Sequence, residues 1–313
     1  LIFLGVDHGT RSIRFAVLSE DLVHFFEIPR DAAGNMDSDA ILKFIEDNMG
    51  MPLSDIDLAC VTYSMGDGIS DISDLSLVQN RGVLTLSGVG KKTNAGTKIF
   101  DLFSRNICPA ILLPGLHQNN PVTDSRMNHF SHQASPEKIG IAFHALSLGH
   151  RRFILSDIGS NTVTMAVSDG KILGAIDAAI FAPGKQHGPL DVNAIRNVDS
   201  GIQTANDAFS NAGVGDDKIK LAFFAAMEIS ALDVLMRDHR APGYDILIAG
   251  SGGDDKEVRR EISRLLQKPV ESVGNYSAAL GCAEIARAVA FGKKKIFEIP
   301  VNFDLKSRKN NRK

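Results

Sequence analysis

The chain has 313 residues, 44% of them hydrophobic, which is enough for about two domains of ordinary size. Its net charge of −3 and pI near 6.3 give no reason to expect a nucleic-acid partner, and Cys60, Cys108 and Cys282 are too scattered for a disulfide framework or a zinc knuckle. The first apolar run stops at Asp7, and Glu228 and Asp233 interrupt the apolar stretch Leu221–Met236, so neither a signal peptide nor a membrane span is expected and the protein reads as cytoplasmic.

The chain opens on Ile2, Phe3, Leu4 and Val6, followed after a short turn by Ile13, Phe15 and Val17 in alternation, the period of a half-buried strand. The turn between them, Asp7-His8-Gly9-Thr10-Arg11-Ser12-Ile13-Arg14, reads as a hairpin tip made for an anion. Gly9 allows close backbone approach, Thr10 and Ser12 offer hydroxyls, and Arg14 adds positive charge. Asp7, at the strand end, is a candidate magnesium ligand acting through water.

Leu22–Ile28 reads as a third strand and Asp37–Asn48 as a helix with Ile41, Phe44 and Ile45 on one face. A strand over Asp57–Tyr63 runs into Ser64-Met65-Gly66-Asp67-Gly68, where a structural turn and a ligand-facing turn are equally open. Gly88–Thr97 is a glycine loop with Lys91 and Lys92. It fits neither a P-loop, which would need glycine at Thr85, nor a dinucleotide fingerprint, which would need glycine at Thr93. A phosphate cap and a solvated turn both remain open for it. A helix follows at about 97–105, then a strand over Ala110–Pro114. His117, His129 and His132 lack a carboxylate or thiol set at metal-site spacing, and polar loop histidines are the better reading. Ser135-Pro136-Glu137 opens a helix carrying His144.

From Phe153 the opening pattern returns. A strand leads into Asp157-Ile158-Gly159-Ser160-Asn161-Thr162, then Val163, Met165 and Val167 alternate, Asp169-Gly170 turns, and Lys171–Ile176 forms a third strand. Asp157 follows Asp7 by 150 residues, and a repeat at that spacing means two similar domains. We place these at 1–147 and 148–303, with 304–313 as a disordered basic tail. Ala175–Ala182 is expected to continue the sheet until Pro183–Pro189 breaks it. Short helices over 190–198 and 204–212 precede a long one over 219–238, where Glu228 reads as a helix-surface residue rather than a catalyst. Tyr244–Ala249 is an apolar strand ending in Gly250-Ser251-Gly252-Gly253, a turn whose glycines let backbone lie against a bulky ligand. A helix over 256–266 and a small-residue helix over 276–291 complete the pass. For the latter, a domain hinge and plain close packing explain the small residues equally well.

Three glycine elements, at 7–14, 157–162 and 250–253, occur in the order phosphate-1, phosphate-2, adenosine. That order resembles the superfamily of actin, hexokinase, sugar kinases and acetate kinase. The opening segment Asp7–Arg14 is similar to the start of a sugar kinase, whereas Asn120-Pro121-Val122 and Phe143-His144-Ala145-Leu146 resemble butyrate kinase. Over almost its full length the chain resembles the methanogenesis marker protein 12 family of methanogenic archaea. Tyr63–Gly68, Pro114-Gly115-Leu116-His117, His187-Gly188-Pro189-Leu190-Asp191 and Thr204–Ser210 carry that likeness.

The resemblance implies an α/β fold of two ribonuclease-H-like domains with a nucleotide cleft between them. It implies ATP and Mg²⁺ as cofactors: Gly9, Thr10, Ser12, Arg14, Gly159, Ser160, Asn161 and Thr162 around phosphates, Gly250, Ser251, Gly252 and Gly253 on adenosine, and Asp7 and Asp157 at the metal. Arg126 and His144, with Arg81 and Arg196, are candidates for holding the transferring phosphoryl group or an anionic acceptor, although each fits a structural ion pair as well. Two functions follow: an ATP-dependent kinase acting on a small molecule such as a carboxylate, or a nucleotide-gated regulatory or assembly protein. The expected partner is a nucleotide; a small anionic substrate and a homodimer stay open, and no nucleic acid or membrane is expected.

Overall fold

The computed structural model describes residues 1–20, 22–63, 68–83, 94–120 and 122–305. The turn at 64–67, the glycine loop up to Thr93 and the basic residues from Lys306 onward lie outside the described residues. In chain order the strands are β1 (Phe3–His8), β2 (Ser12–Leu18), β3 (Val23–Pro29), β4 (Leu58–Thr62), β5 (Ile72–Asp74), β6 (Ala110–Leu113), β7 (Leu116–His117) and β8 (His132–Ala134). They continue as β9 (Arg152–Ile158), β10 (Thr162–Ser168), β11 (Lys171–Ile176), β12 (Asp245–Ala249), β13 (Glu271–Ser272), β14 (Lys295–Ile296) and β15 (Ile299–Asn302). The helices are α1 (Arg30–Asn35), α2 (Ser38–Met49), α3 (Ala95–Ser104), α4 (Pro136–Ser147) and α5 (Val192–Asp199), then α6 (Ala205–Ser210), α7 (Lys218–Asp238), the single turn α8 (Gly250–Gly253), α9 (Lys256–Leu266) and α10 (Ser277–Ala290).

The chain folds into two compact units that trade segments rather than follow one another. The first holds Leu1–Asn120, Ser135–His144 and Tyr276–Lys313, and the second holds Pro121–Ala134 and Ala145–Asn275. The boundary drawn at 147/148 from the sequence repeat does not have this exchange in it, because the repeat marks where strands recur and not which sheet a later helix covers.

In the first unit an eight-stranded sheet runs β14-β15-β5-β6-β4-β1-β2-β3. β1, β2 and β3 form an antiparallel meander, and β4 and β6 add in parallel on the other side of β1. Every residue of β1 is buried, as a central strand covered on both faces requires. One covering layer, α2 and α3, buries Ile41, Ile45, Ile99 and Phe103 with Val6, Phe15 and Val61. On β1 also packs α10, so closely that a Cβ on Gly5 would stand 1.9 Å from the Ala279 carbonyl oxygen. One on Gly281 would stand 1.8 Å from the Gly140 oxygen of α4. The small residues of α10 therefore serve close packing inside this unit.

The second unit repeats the plan. Its five-stranded sheet runs β11-β10-β9-β12-β13, again a three-strand meander followed by two parallel strands, and α7 and α9 bury Leu221, Ala225, Ile229, Leu232, Val258 and Ile262 with Ile154, Ile246 and Ile248. The expected strand over Ala175–Ala182 stops at Ile176. Beyond it the chain leaves the ladder and crosses toward the tip of the β9–β10 hairpin. Among the described residues no helix is long and apolar enough to cross a membrane.

Candidate functional site

In the first unit β1 and β2 pair Asp7 with Arg14 and His8 with Ile13, which places the tip at Gly9, Thr10 and Arg11. The tip is tight: a Cβ on Gly9 would stand 2.6 Å from the Ser12 carbonyl oxygen. Asp7 is 3% exposed, and Arg14 Nη1 lies 3.8 Å from its Oδ2 while Arg14 Nε donates to Glu27 Oε2 at 3.2 Å. Arg14 is thus the countercharge of two carboxylates. Thr10 is exposed and Ser12 half-buried.

Arg30, which the sequence reading overlooked, grips this tip. Its Nη1 donates to the Gly9 carbonyl at 3.1 Å and its amide to the Arg11 carbonyl at 2.9 Å. No peptide here is cis, and in a trans peptide the carbonyl and the next N–H point opposite ways. Holding the Gly9 oxygen on one side turns the Thr10 amide to the other. Beside the tip, burial lowers the His8 imidazole pKa to about 3, aided by the positive charge of Arg30, so His8 is neutral at physiological pH.

The second unit builds the same device from other parts. Asp157, next to the end of β9, pairs with Val163, and the tip spans Gly159, Ser160 and Asn161. Here a strap of backbone, Ala182–Gly188, does what Arg30 does in the first unit. The Lys185 amide donates to the Gly159 oxygen at 2.8 Å, and the Gln186 and His187 amides each donate to the Ser160 oxygen at 3.0 Å. With both carbonyls turned to the strap, the Ser160 and Asn161 amides face away from it and donate to no other described residue. Adjacent backbone N–H groups with a common direction form an anion-binding nest. The strap approaches so closely that a Cβ on Gly184 would stand 2.3 Å from the Ser160 oxygen. His187 and Asn161 are bonded side chain to side chain, and burial holds the imidazole pKa below its usual range.

The glycine turn α8 lies against the end of β9. Gly250 has φ +75°, and a Cβ there would stand 2.3 Å from Asp157 Oδ1; one on Gly252 would meet Ile158 Cγ2 at 2.6 Å. Gly253 packs on Ile248, and Ser251 is exposed. Asp157, the tip Gly159–Thr162 and Gly250–Gly253 therefore share one patch of the second unit.

Of the remaining candidates, Arg81 is close enough to Tyr63, whose ring meets His8 edge-on with centroids 5.9 Å apart, to act on it electrostatically together with Arg30. Arg81 is bound to Asp101 through Nε and Nη2, each at 2.8 Å. Arg126 forks onto Asp124 at 2.9 and 2.7 Å and reaches Asp238 at 2.6 Å, an ion cluster at the end of α7 that also takes His239. These contacts hold Asp124 far below the usual carboxylate range. His144 is buried and its Nδ1 is 3.2 Å from both Glu284 oxygens. Arg196 is exposed on α5. Glu228 is corrected outright: it is fully buried, not on the helix surface, and burial raises its pKa to about 8. Helical spacing alone cannot tell a polar residue inside a covered face from one at its rim. Among the described residues no three His, Cys, Asp or Glu side chains gather as a metal-holding group.

The acetate kinase of Porphyromonas gingivalis is 11% identical, with a TM-score of 0.57 over 92% of this chain and 99% of that one. That of Entamoeba histolytica is 12% identical, with a TM-score of 0.55 over 85% and 86%. These likenesses show the fold, the mixed α/β plan of two ribonuclease-H-like units that the resemblance to the actin, hexokinase and acetate kinase superfamily implies. Relatives of similar length come from methanogens. A UPF0285 protein of Methanosarcina acetivorans is 46% identical over 97% of this chain and 100% of its own, and one of Methanococcus maripaludis is 40% identical over the same shares. Residues 5–299 match the family described as "Protein of unknown function (DUF1464)", and it is to this family that the chain belongs.

Proposed function

We propose that this protein binds MgATP and transfers its γ-phosphoryl group to a small anionic acceptor, a carboxylate by preference. The observation that carries the reading is the twice-built hairpin tip, in which a glycine carbonyl is pinned from behind and the following amides are turned outward. The second tip has, in addition, a glycine turn with no room for a Cβ beside it. Gly9, Thr10 and Ser12 in one unit, and Gly159, Ser160, Asn161 and Thr162 in the other, would hold phosphate oxygens; Gly250–Gly253 would lie along adenosine. Asp7 and Asp157 offer hard oxygen ligands. Among the described residues neither stands in a group of three acidic, thiol or imidazole side chains, so Mg²⁺ would keep several waters and take phosphate oxygens.

ATP supplies the phosphoryl group, and the protein's part is positioning and charge neutralisation. A carboxylate acceptor is already nucleophilic and needs no general base, which suits a first tip whose neighbouring His8, with its pKa lowered to about 3, is a weak one. Acetate kinases as structural neighbours agree with this class of acceptor. The likeness to the marker protein 12 family extends the proposal to a cytoplasmic role in methanogens.

A second reading is a nucleotide-gated module with no small acceptor. It is favoured by the ion pairs of Arg81 and Arg126 and the His144–Glu284 contact, which engage three of the four candidate acceptor-holding groups with protein carboxylates. Calorimetric titration with MgATP tests the shared premise. Micromolar binding is expected, with loss of at least tenfold in Asp7→Ala and in Gly252→Val, roughly the effect of 1.4 kcal/mol or more. Absence of binding by the wild type removes both readings. Phosphorylation of carboxylates in a subsequent screen separates them.

A further inference from the structure

Glu228 sits in the middle of α7, 0% exposed, where an apolar side chain would pack without desolvation. Its Oε1 accepts the Ala182 amide at 3.1 Å. Oε2 is enclosed and has no hydrogen bond of its own, and the Thr164 hydroxyl near it is paired with Ser156 Oγ at 2.9 Å. A carboxyl kept at such a cost, facing the Thr164 hydroxyl and bonded to one backbone amide, draws attention to what that amide begins.

Ala182 begins the strap. The next residue, Pro183, gives its carbonyl to the Thr162 hydroxyl at 3.0 Å. Further along, the strap is held on both sides. On one it carries the Gly159 and Ser160 carbonyls; on the other, the Gly213, Val214 and Gly215 amides donate to the Gln186, Gly184 and Lys185 oxygens at 2.9, 3.0 and 3.0 Å. The His187 ring lies flat on Phe209, with centroids 4.9 Å apart. Where the strap leaves the sheet after β11, Glu228 is the side chain that takes up its amide.

We propose that Glu228 is a positioning residue for the phosphate-binding tip of the second unit: it anchors the start of the strap, the strap fixes the Gly159 and Ser160 carbonyls, and those peptide planes aim the Ser160 and Asn161 amides. Glu228 itself touches no part of the nucleotide. The inference rests on the phosphate-binding reading of this tip, and it gives that site a support buried in α7.

The test is hydrogen–deuterium exchange on the unliganded full chain, paired with MgATP titration, for wild type, Glu228→Leu and Glu228→Gln. Leu removes the acceptor of the Ala182 amide; Gln keeps it. In Glu228→Leu the amides of 182–188 are expected to exchange about tenfold faster, the worth of one buried hydrogen bond, and MgATP affinity to fall by a similar factor. Exchange in β9 and β12 stays as in wild type. Glu228→Gln restores both readouts. Unchanged strap protection in Glu228→Leu overturns the inference, as does a loosened strap with undiminished affinity. Equal failure of Gln and Leu also overturns it, since the acceptor oxygen would then be irrelevant. If the Leu chain does not fold, Glu228→Asp, which withdraws the acceptor by about 1.5 Å, is read in the same way. A wild type with a protected strap and no affinity for MgATP defeats the proposed function and not the mechanical link.

Discussion

A single proton distinguishes Glu228 from its neighbours in α7. The unfolded chain gives up that proton near pH 4.5, whereas the folded chain keeps it to about pH 8, because ionising a carboxyl in this layer forfeits its hydration. Between those values the unfolded state binds fewer protons, so native stability falls as pH rises, by at most about 1.4 kcal/mol per pH unit from this group. Glu228→Gln has no such proton to lose. Its melting temperature relative to wild type is expected to climb from pH 5 to pH 8 and level off above, and a flat difference across that range would show that the wild-type carboxyl ionises normally. Arg30 makes a complementary point about reading residues. Nothing in the run Pro29-Arg30-Asp31 marks an arginine that will bond to a carbonyl 21 positions earlier, because the contact is made only once β3 returns the chain to the tip. Asp7, Gly9 and Gly159 were legible because local turn chemistry places them; Arg30 and Glu228 were not, because tertiary packing does.

At the scale of elements, most strands and helices expected from periodicity lie within a residue or two of their expected bounds, whereas the short α1, β5, β7, β8, β13, β14 and β15 carry too few residues to show a period and were not expected. Asp37 caps α2 by accepting the Ala40 amide, as its position ahead of an amphipathic run requires. The failure at Ala175–Ala182 has a specific cause. Its apolar residues suit a strand, but the Ala182 amide finds its acceptor in a helix side chain and the segment turns away from β10. The α10–β1 contact yields a direct test of close packing. Gly5→Ala sets a methyl group 1.9 Å from the Ala279 oxygen, which neither backbone can absorb without α10 moving. Destabilisation on the order of 3 kcal/mol is expected, read by urea denaturation. A Gly5→Ala chain as stable as wild type would mean that α10 sits further from β1 than its small residues indicate.

For the molecule as a whole, the duplication was visible in the sequence and the exchange of segments was not. Two meanders each leave a mark every second residue, whereas the destination of α10 depends on where Gly5 of β1 and Gly140 of α4 leave a groove for it. That exchange has a consequence for how the protein comes into being. During synthesis, Pro121–Asn275 leaves the ribosome with all the strands of its own five-stranded sheet. The unit made first must wait: the helix that covers β1, and the strand β15 that extends its sheet beyond β5, emerge only after the second unit. The first unit is therefore expected to complete its fold after the second. Ribosome-stalled chains ending at Asn275 should yield a protease-resistant fragment from Ala145 onward while Leu1–Asn120 is digested, and resistance of the early segment at that length would refute this order. Until α10 arrives, the strand bearing Asp7 is an open apolar surface, and the nascent chain has a vulnerable interval that a chaperone would have to bridge.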